Sequence, residues 1–552
     1  MEEKMEALES NLQRLAERVN SYTSEQGERG PHPTVGFQPQ PREHTASFSS
    51  SDSQRPYYQA SATSGIPEDL NALEFSPGML AEDPLELILK QHQLPPRSIL
   101  LSMANLFFKD VATWAPLLPG QTINDVISSP FITRDDAVLL HGIVAATIRF
   151  SFDAGHTARD QSRYYNTSRQ IVREYSLQNT SIRAIQAMTL VTIDTFGSSD
   201  GPEGRKMLAL LHQSLKQMDL VKEKAIFLNR HASTRDNRFI PSTIPQPNSW
   251  LEEEERRRLV WIVYMLDRYA TIGTQQGFTL PALHVLFPSK FLSHSSNSLP
   301  SSVDWYGVFE NDPGLNGAES GSFRYHCELL TILSQIHEFL ESPLDAESII
   351  AVHIWRSKYR ALDAGLDRWL SSLPKQIQGA PTRTHNPTAY EPSWVILQAG
   401  FILSVLRLNS PAAYPVRETE QFGHSVTARH RCLAAVDSLR KLTLECSQTY
   451  PLQILGYAYG YTLFVCASLL LVHAAVTEDS VDRTIWFFVS ALETLGQRWP
   501  VVMHYSEALR SVLLKIEKDT AESSQIFSGH CAQVLTAIRR FVLHNILRSR
   551  AL

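Results

Sequence analysis

WLEEEERRRLVWIVYMLDR, Trp250 to Arg268, packs more charge into one turn than any other stretch of the chain and then becomes apolar. Glu252, Glu253 and Glu254 stand four residues before Arg256, Arg257 and Arg258, the order in which such pairs support a helix. The acids come first, where they suit the positive end of the helix dipole. Trp261, Val263 and Leu266 then read as a buried stretch, inside which Asp267 and Arg268 must find partners. The arginines do not make a nucleic-acid patch, because glutamates within the same turn offset their attraction for phosphate. The segment reads as a structural helix with a charged first turn.

Helical periodicity continues on both sides of it. Candidates before it are Ser98 to Asp110, Asp135 to Phe150, Asp160 to Tyr175, Ser181 to Thr195 and Pro202 to Lys222; the segment itself extends from Ser249 to Thr271. After it come Ser322 to Leu340, Ala346 to Leu373, Ser393 to Leu408, Ser425 to Gln448, Leu452 to Val476, Val481 to Gln497, Val502 to Lys518 and Gly529 to Arg548. Polar, proline-rich loops at 229–247, 300–321 and 376–392 interrupt them, and the last divides the array into halves at 96–375 and 393–552. The 552 residues contain 43% hydrophobic residues and 25 glycines. That composition fills a large core, rules out a wholly disordered chain and leans towards helix. The expected fold class is all-α: a large multi-helical domain preceded by a short coiled coil and a disordered linker.

The coiled coil is read at residues 1–20, where Met1, Met5, Leu8, Leu12, Leu15 and Val19 follow a heptad seam. Met5, Leu8, Leu12, Leu15 and Val19 are its candidate dimerisation contacts; an amphipathic helix docked on the body would have the same pattern. Residues 21–67, rich in Ser, Gln, Pro and Gly with few aliphatics, read as a disordered linker. Residues 68–95 alternate acids with leucines. That pattern is shared by activation segments and by the entry to a folded body, and the entry segment is the preferred reading. Residues 1–66 hold six basic and nine acidic residues, so they are no DNA-binding arm. The terminal cluster Arg539, Arg540, Arg548 and Arg550 suits a helix C-terminus.

Chemistry is hard to assemble from the rest. The five cysteines contain no Cys-x-x-Cys pair. His430 and Cys432 could share a metal only with distant partners, so no metal or cofactor is expected. The charged start lacks a signal peptide and the odd cysteine count points to a reducing compartment, which leaves the sequons at Asn166 and Asn179 unused. Gly197 to Gly201 fits Gly-x-Ser-x-Gly with Ser199 as nucleophile, and a serine hydrolase is the alternative it raises. Against it, Ile182, Ile185, Met188 and Leu190 sit at helical spacing before the turn, and no oxyanion segment follows the pattern. Ile454 to Val476 carries no Asp, Glu, Lys or Arg and is long enough to span a bilayer. A membrane-associated protein is therefore a further alternative, and a buried core helix the preferred reading.

Within Trp250 to Arg268, Glu254 to Arg258 (with Arg257 and Arg258), Trp261, Asp267 and Arg268 resemble the regulatory middle domain of fungal binuclear zinc-cluster transcription factors, whose pattern is acidic, Arg-Arg, Trp, Asp-Arg. Leu94 to Leu118, Ser181 to Leu190, Gly204 to Leu220, Leu366 to Pro374, Leu406-Arg407 with Pro411, and Cys432 to Val436 are similar to other helices of that domain, so the resemblance covers roughly residues 90 to 480. Two departures stand out. The family's six-cysteine zinc cluster is absent from this sequence, and in place of Gly-x-Pro after Asp-Arg the chain has Gly277-Phe278-Thr279-Leu280-Pro281. The resemblance implies a nuclear transcription regulator, not an enzyme and not bound to a membrane. It would act as a co-regulator without its own zinc cluster, or stem from a truncated gene reading. Its implied partners are a second copy or a zinc-cluster DNA-binding protein joined through the seam, promoter DNA reached indirectly, and a small-molecule effector. Its targets would be metabolic or secondary-metabolite genes.

Overall fold

Small hydroxyl residues fix where several helices begin. The side-chain oxygens of Thr133, Ser181, Ser348 and Ser425 accept the backbone N–H three residues on, at 3.1 to 3.3 Å. Each satisfies one of the free N–H groups of a first helical turn. The computed structural model describes residues 84–151, 158–199, 201–221, 244–272, 277–283, 322–374, 391–415, 418–477 and 479–522. The expected coiled coil at 1–20, the linker at 21–67, most of the entry segment at 68–95, the greater part of the three long loops and the helix at 529–548 lie outside them.

Among the described residues the structure is helical, with no strand. In chain order the helices are α1 (Pro84–Gln91), α2 (Arg97–Asp110), α3 (Gly120–Ser128), α4 (Arg134–Thr147), α5 (Ala158–Gln178), α6 (Ile182–Ser198), α7 (Pro202–Gln217) and α8 (Trp250–Ile272). They continue with α9 (Ser322–Glu341), α10 (Ile349–Ser372), α11 (Pro392–Ala413), α12 (Val426–Thr449), α13 (Gly456–Thr477), α14 (Thr484–Gly496) and α15 (Pro500–Glu522). The all-α expectation holds, and every candidate helix that falls on described residues is there. Two helices were not foreseen. Of these, α3 has a weak helical sequence, GQTINDVIS, and is held by burial of Ile123, Val126 and Ile127. The expected helix from Leu452 breaks in two: a 3₁₀ turn at Leu452–Leu455 precedes α13, and Gly456 joins them at φ +75°, which glycine adopts without a steric penalty.

Three helices, α6, α11 and α13, are buried on nearly every side. α6 packs against α4, α5, α7 and α8, while α9, α10 and α12 pack against α11. α13 packs against α11, α14 and α15, and touches α6. Helices before and after residues 375–390 therefore share one core. α11 and the Leu452–Thr477 stretch are both long and apolar enough to cross a membrane, but 89% and 78% of their most apolar windows are buried among other helices. That burial is what the core-helix reading of Ile454 to Val476 requires.

An aromatic cluster closes this core at one end. The Trp499 ring lies 5.3 Å from Phe150, 5.9 Å from Tyr457 and 6.3 Å from Trp114, and its indole N–H donates to the Gln453 carbonyl at 2.9 Å. Trp499 also lies over Gly197, where a Cβ would come within 2.3 Å of the ring. Beside it, Arg498 pairs with the buried Asp110 and covers the Phe150 ring at 4.0 Å.

Candidate functional site

Ser249 and Glu252 start α8. Ser249 Oγ accepts the Glu252 N–H at 3.2 Å, while Glu252 Oε2 accepts the Asn248 N–H at 2.8 Å, a near relative of the capping box. The three foreseen pairs follow: Glu252 with Arg256, Glu253 with Arg257 at 3.3 Å and Glu254 with Arg258 at 3.0 Å. Arg257 also grips Glu254.

Where the structure differs from the expected charged first turn is in burial. Glu253, Glu254, Glu255, Arg257 and Arg258 are all buried, Glu254 completely. α7 and α9 pack on this helix and take the charges out of water. Such charges are tolerated only in paired, hydrogen-bonded form. Trp261 is buried one turn later, edge-on to Tyr264 at 5.2 Å.

Glu255 escaped the sequence reading. Four residues after it stands Leu259, so it has no partner on its own helix, which was the available signal that its partners lie elsewhere. Thr122 of α3 donates to it at 2.7 Å, and Gln186 and Arg183 of α6 donate at 3.3 and 3.4 Å.

Asp267 and Arg268 bind each other and together grip the segment 277–283. Asp267 accepts the N–H groups of Thr279 and Leu280, both at 3.1 Å. Arg268 donates to the Leu280 carbonyl at 2.9 Å and to Ser334 Oγ of α9 at 2.8 Å. Its guanidinium is sandwiched between the rings of Tyr264 and Phe278, at 3.8 and 3.9 Å. The departure from Gly-x-Pro thus still ends in backbone gripped by the Asp-Arg pair. Beyond Phe278, the ring of His337 follows at 4.7 Å.

A second buried network was also not foreseen. Asp194 of α6 is paired with Arg149 and, at 3.1 Å, with Arg169 of α5, and it accepts the Tyr165 hydroxyl at 2.8 Å. Burial pushes its carboxyl pKa up against the pull of these partners. Next to it a cavity of about 480 Å³ is lined by Asn166, Arg169, Gln170, Arg173, Glu174 and Glu203. Both arginines there already pair with Glu203, and Glu174 accepts from Gln170 at 2.8 Å.

Ser199 caps the C-terminus of α6 and leads through Gly201 into α7. The strand that a nucleophile elbow needs is therefore a helix, and Gly197 is explained by its contact with Trp499. His430 is exposed while Cys432, two residues on, is buried, so they face opposite sides of α12. Among the described residues no group of three or more His, Cys, Asp or Glu could hold a metal ion.

Comparison with known proteins bears on the same helices. Residues 104–371, from within α2 to the end of α10, match the fungal specific transcription factor domain. A candidate transcriptional regulatory protein of Saccharomyces cerevisiae, YJL206C, is 22% identical over 256 residues, which are 42% of this chain and 32% of the yeast protein. The chain thus spans about a third of the length of that curated relative. No solved structure matches.

Proposed function

We propose, from the premise that residues 104–371 carry a fungal specific transcription factor domain, that the chain regulates transcription and that its helical body is the part that receives and relays a signal. The observation that supports this reading most directly is α8. The Glu, Arg, Trp and Asp-Arg positions that carried the resemblance lie inside the matched segment and form a largely buried framework of paired charges joining α3, α6, α9 and the segment 277–283. Such a framework transmits strain between elements and offers substrates no reactive group, which favours regulation over catalysis.

In this reading Met5, Leu8, Leu12, Leu15 and Val19 bring in a second copy or a zinc-cluster DNA-binding protein. The six-cysteine cluster that would touch promoter DNA is not supplied by these 552 residues, which hold five cysteines. The site of action is the nucleus, and metabolic or secondary-metabolite genes are the proposed targets.

Fusing the full chain to a heterologous DNA-binding domain, in a fungal cell carrying a reporter with the matching operator, tests this. A several-fold change in reporter output, up or down, is expected. Output equal to that of the DNA-binding domain alone, with the fusion protein present in the nucleus, would sink the reading. The serine-hydrolase alternative has no supporting geometry at Ser199.

A further inference from the structure

The long helix α10 buries one side and leaves the other bare. Val352, Trp355, Leu366 and Trp369 are buried, and the helix packs against α9 and α11. Of the large aliphatic side chains described, Ile350 is the most exposed, at 74%, and Ile349 and Ile354 are 67% and 51% exposed. At helical spacing Ile350, Ile354, Ala361, Gly365 and Arg368 fall on one stripe of the outward side. Solvent normally faces polar residues there, and an exposed apolar strip with a charged rim marks an interaction surface.

The rim is cationic. The two carboxylates of the helix, Asp363 and Asp367, turn aside to Arg431 of α12. Lys358 and Arg360 lie on opposite edges of the stripe, are exposed, and pair with no carboxylate among the described residues. Arg368 donates to the Ala364 carbonyl of its own helix at 3.2 Å. Within the stripe, Gly365 is a poor helix former, yet a Cβ there would meet no atom within 4 Å. The body does not require its smallness, whereas a partner lying close against the backbone would.

Ile350 to Arg368 extends about 27 Å, or about five turns. At a width of about 10 Å the strip offers roughly 270 Å², well short of the ~800 Å² per partner that stable dimers bury. A second copy would also set Lys358, Arg360 and Arg368 against the same cations, which is costly. One helix with apolar anchors at i, i+4 and i+7 and acids on both edges matches the strip in size and charge.

We propose that the outward face of α10, from Ile350 to Arg368, docks an acidic amphipathic helix of a partner protein. This contact is separate from the one read at residues 1–20.

Fluorescence anisotropy with the purified full chain is the test. The probe is a labelled amphipathic peptide of about 20 residues with leucines on one face and glutamates along both edges. One control peptide has lysines in place of the glutamates, and another has the glutamate peptide's residues in scrambled order. Saturable binding of the glutamate peptide, at least about tenfold tighter than of either control, is expected. Ile350→Ser with Ile354→Ser should weaken it at least about tenfold. Lys358→Glu with Arg360→Glu should reverse the preference between the glutamate and lysine peptides. These four side chains are exposed, so the Tm of both double variants should stay within about 2 °C of the parent's, which separates lost docking from lost fold. No binding of the glutamate peptide at about 100 μM protein, equal binding of the three peptides, or unchanged binding in both double variants overturns the assignment. So does dimerisation that the isoleucine substitutions abolish, which gives the face to a second copy. Flotation with phosphatidylserine–phosphatidylcholine vesicles that the charge reversal abolishes overturns it too, by giving the face to a membrane. Docking is measured without transcription, so its failure leaves the regulatory reading standing.

Discussion

Single atoms decide several positions. At Gly197 an added methyl would collide with the Trp499 ring. In an open helix Gly→Ala stabilises by about 1 kcal/mol. Here Gly197→Ala is expected to destabilise by about 1–3 kcal/mol through overpacking, read as a shift of the urea midpoint. Two residues away, Ser199→Ala should stay within about 0.5 kcal/mol, since it only alters a partly exposed turn. The pattern Gly-x-Ser-x-Gly was legible in the sequence. Its meaning was not, because the Trp499 ring that requires the first glycine comes from far along the chain.

Within α8 the three Glu-Arg pairs look alike in sequence and differ in surroundings. Glu252 is a third exposed and Glu254 fully buried. Glu252→Ala should cost no more than about 1 kcal/mol. Glu254→Ala removes the buried carboxylate that both Arg257 and Arg258 grip and should cost about 3–5 kcal/mol, a contrast that denaturant titration of the two variants resolves. The spacing that creates the pairs was readable, as were the helix start at Ser249 and nearly all the other helices, since period and caps are local. Burial of the pairs was not, because it depends on which helices pack on this one. α3 was missed for the converse reason: its residues favour no helix until the body covers Ile123 and Ile127.

For the whole body, two histidines set an acid limit. Burial holds the imidazoles of His141 and His326 down to about 4, against an ordinary value of 6.5. Both are neutral in the fold, whereas the unfolded chain takes up protons below 6.5. Their contribution to stability is therefore complete at neutral pH and is lost as pH falls from 6.5 towards 4. At pH 5 each costs about 2 kcal/mol. His326→Gln should reduce the stability difference between pH 7 and pH 5 by about 2 kcal/mol, and an unchanged difference would contradict this. Much of the all-α architecture could be read from periodicity, but neither histidine stood out, because nothing local marks a ring as buried.

The pair that joins Arg498 to Asp110 spans 388 residues of sequence. At ribosomal rates of roughly 5–20 residues per second, Asp110 waits on the order of 20–80 s for its partner to be made. Until then α2 and α6 lack the wedge of Trp499 and the counter-charge of Arg498. The nascent body must therefore be kept from aggregating for most of its synthesis, and nonsense alleles downstream of the matched domain should act through loss of protein rather than loss of a separable activity.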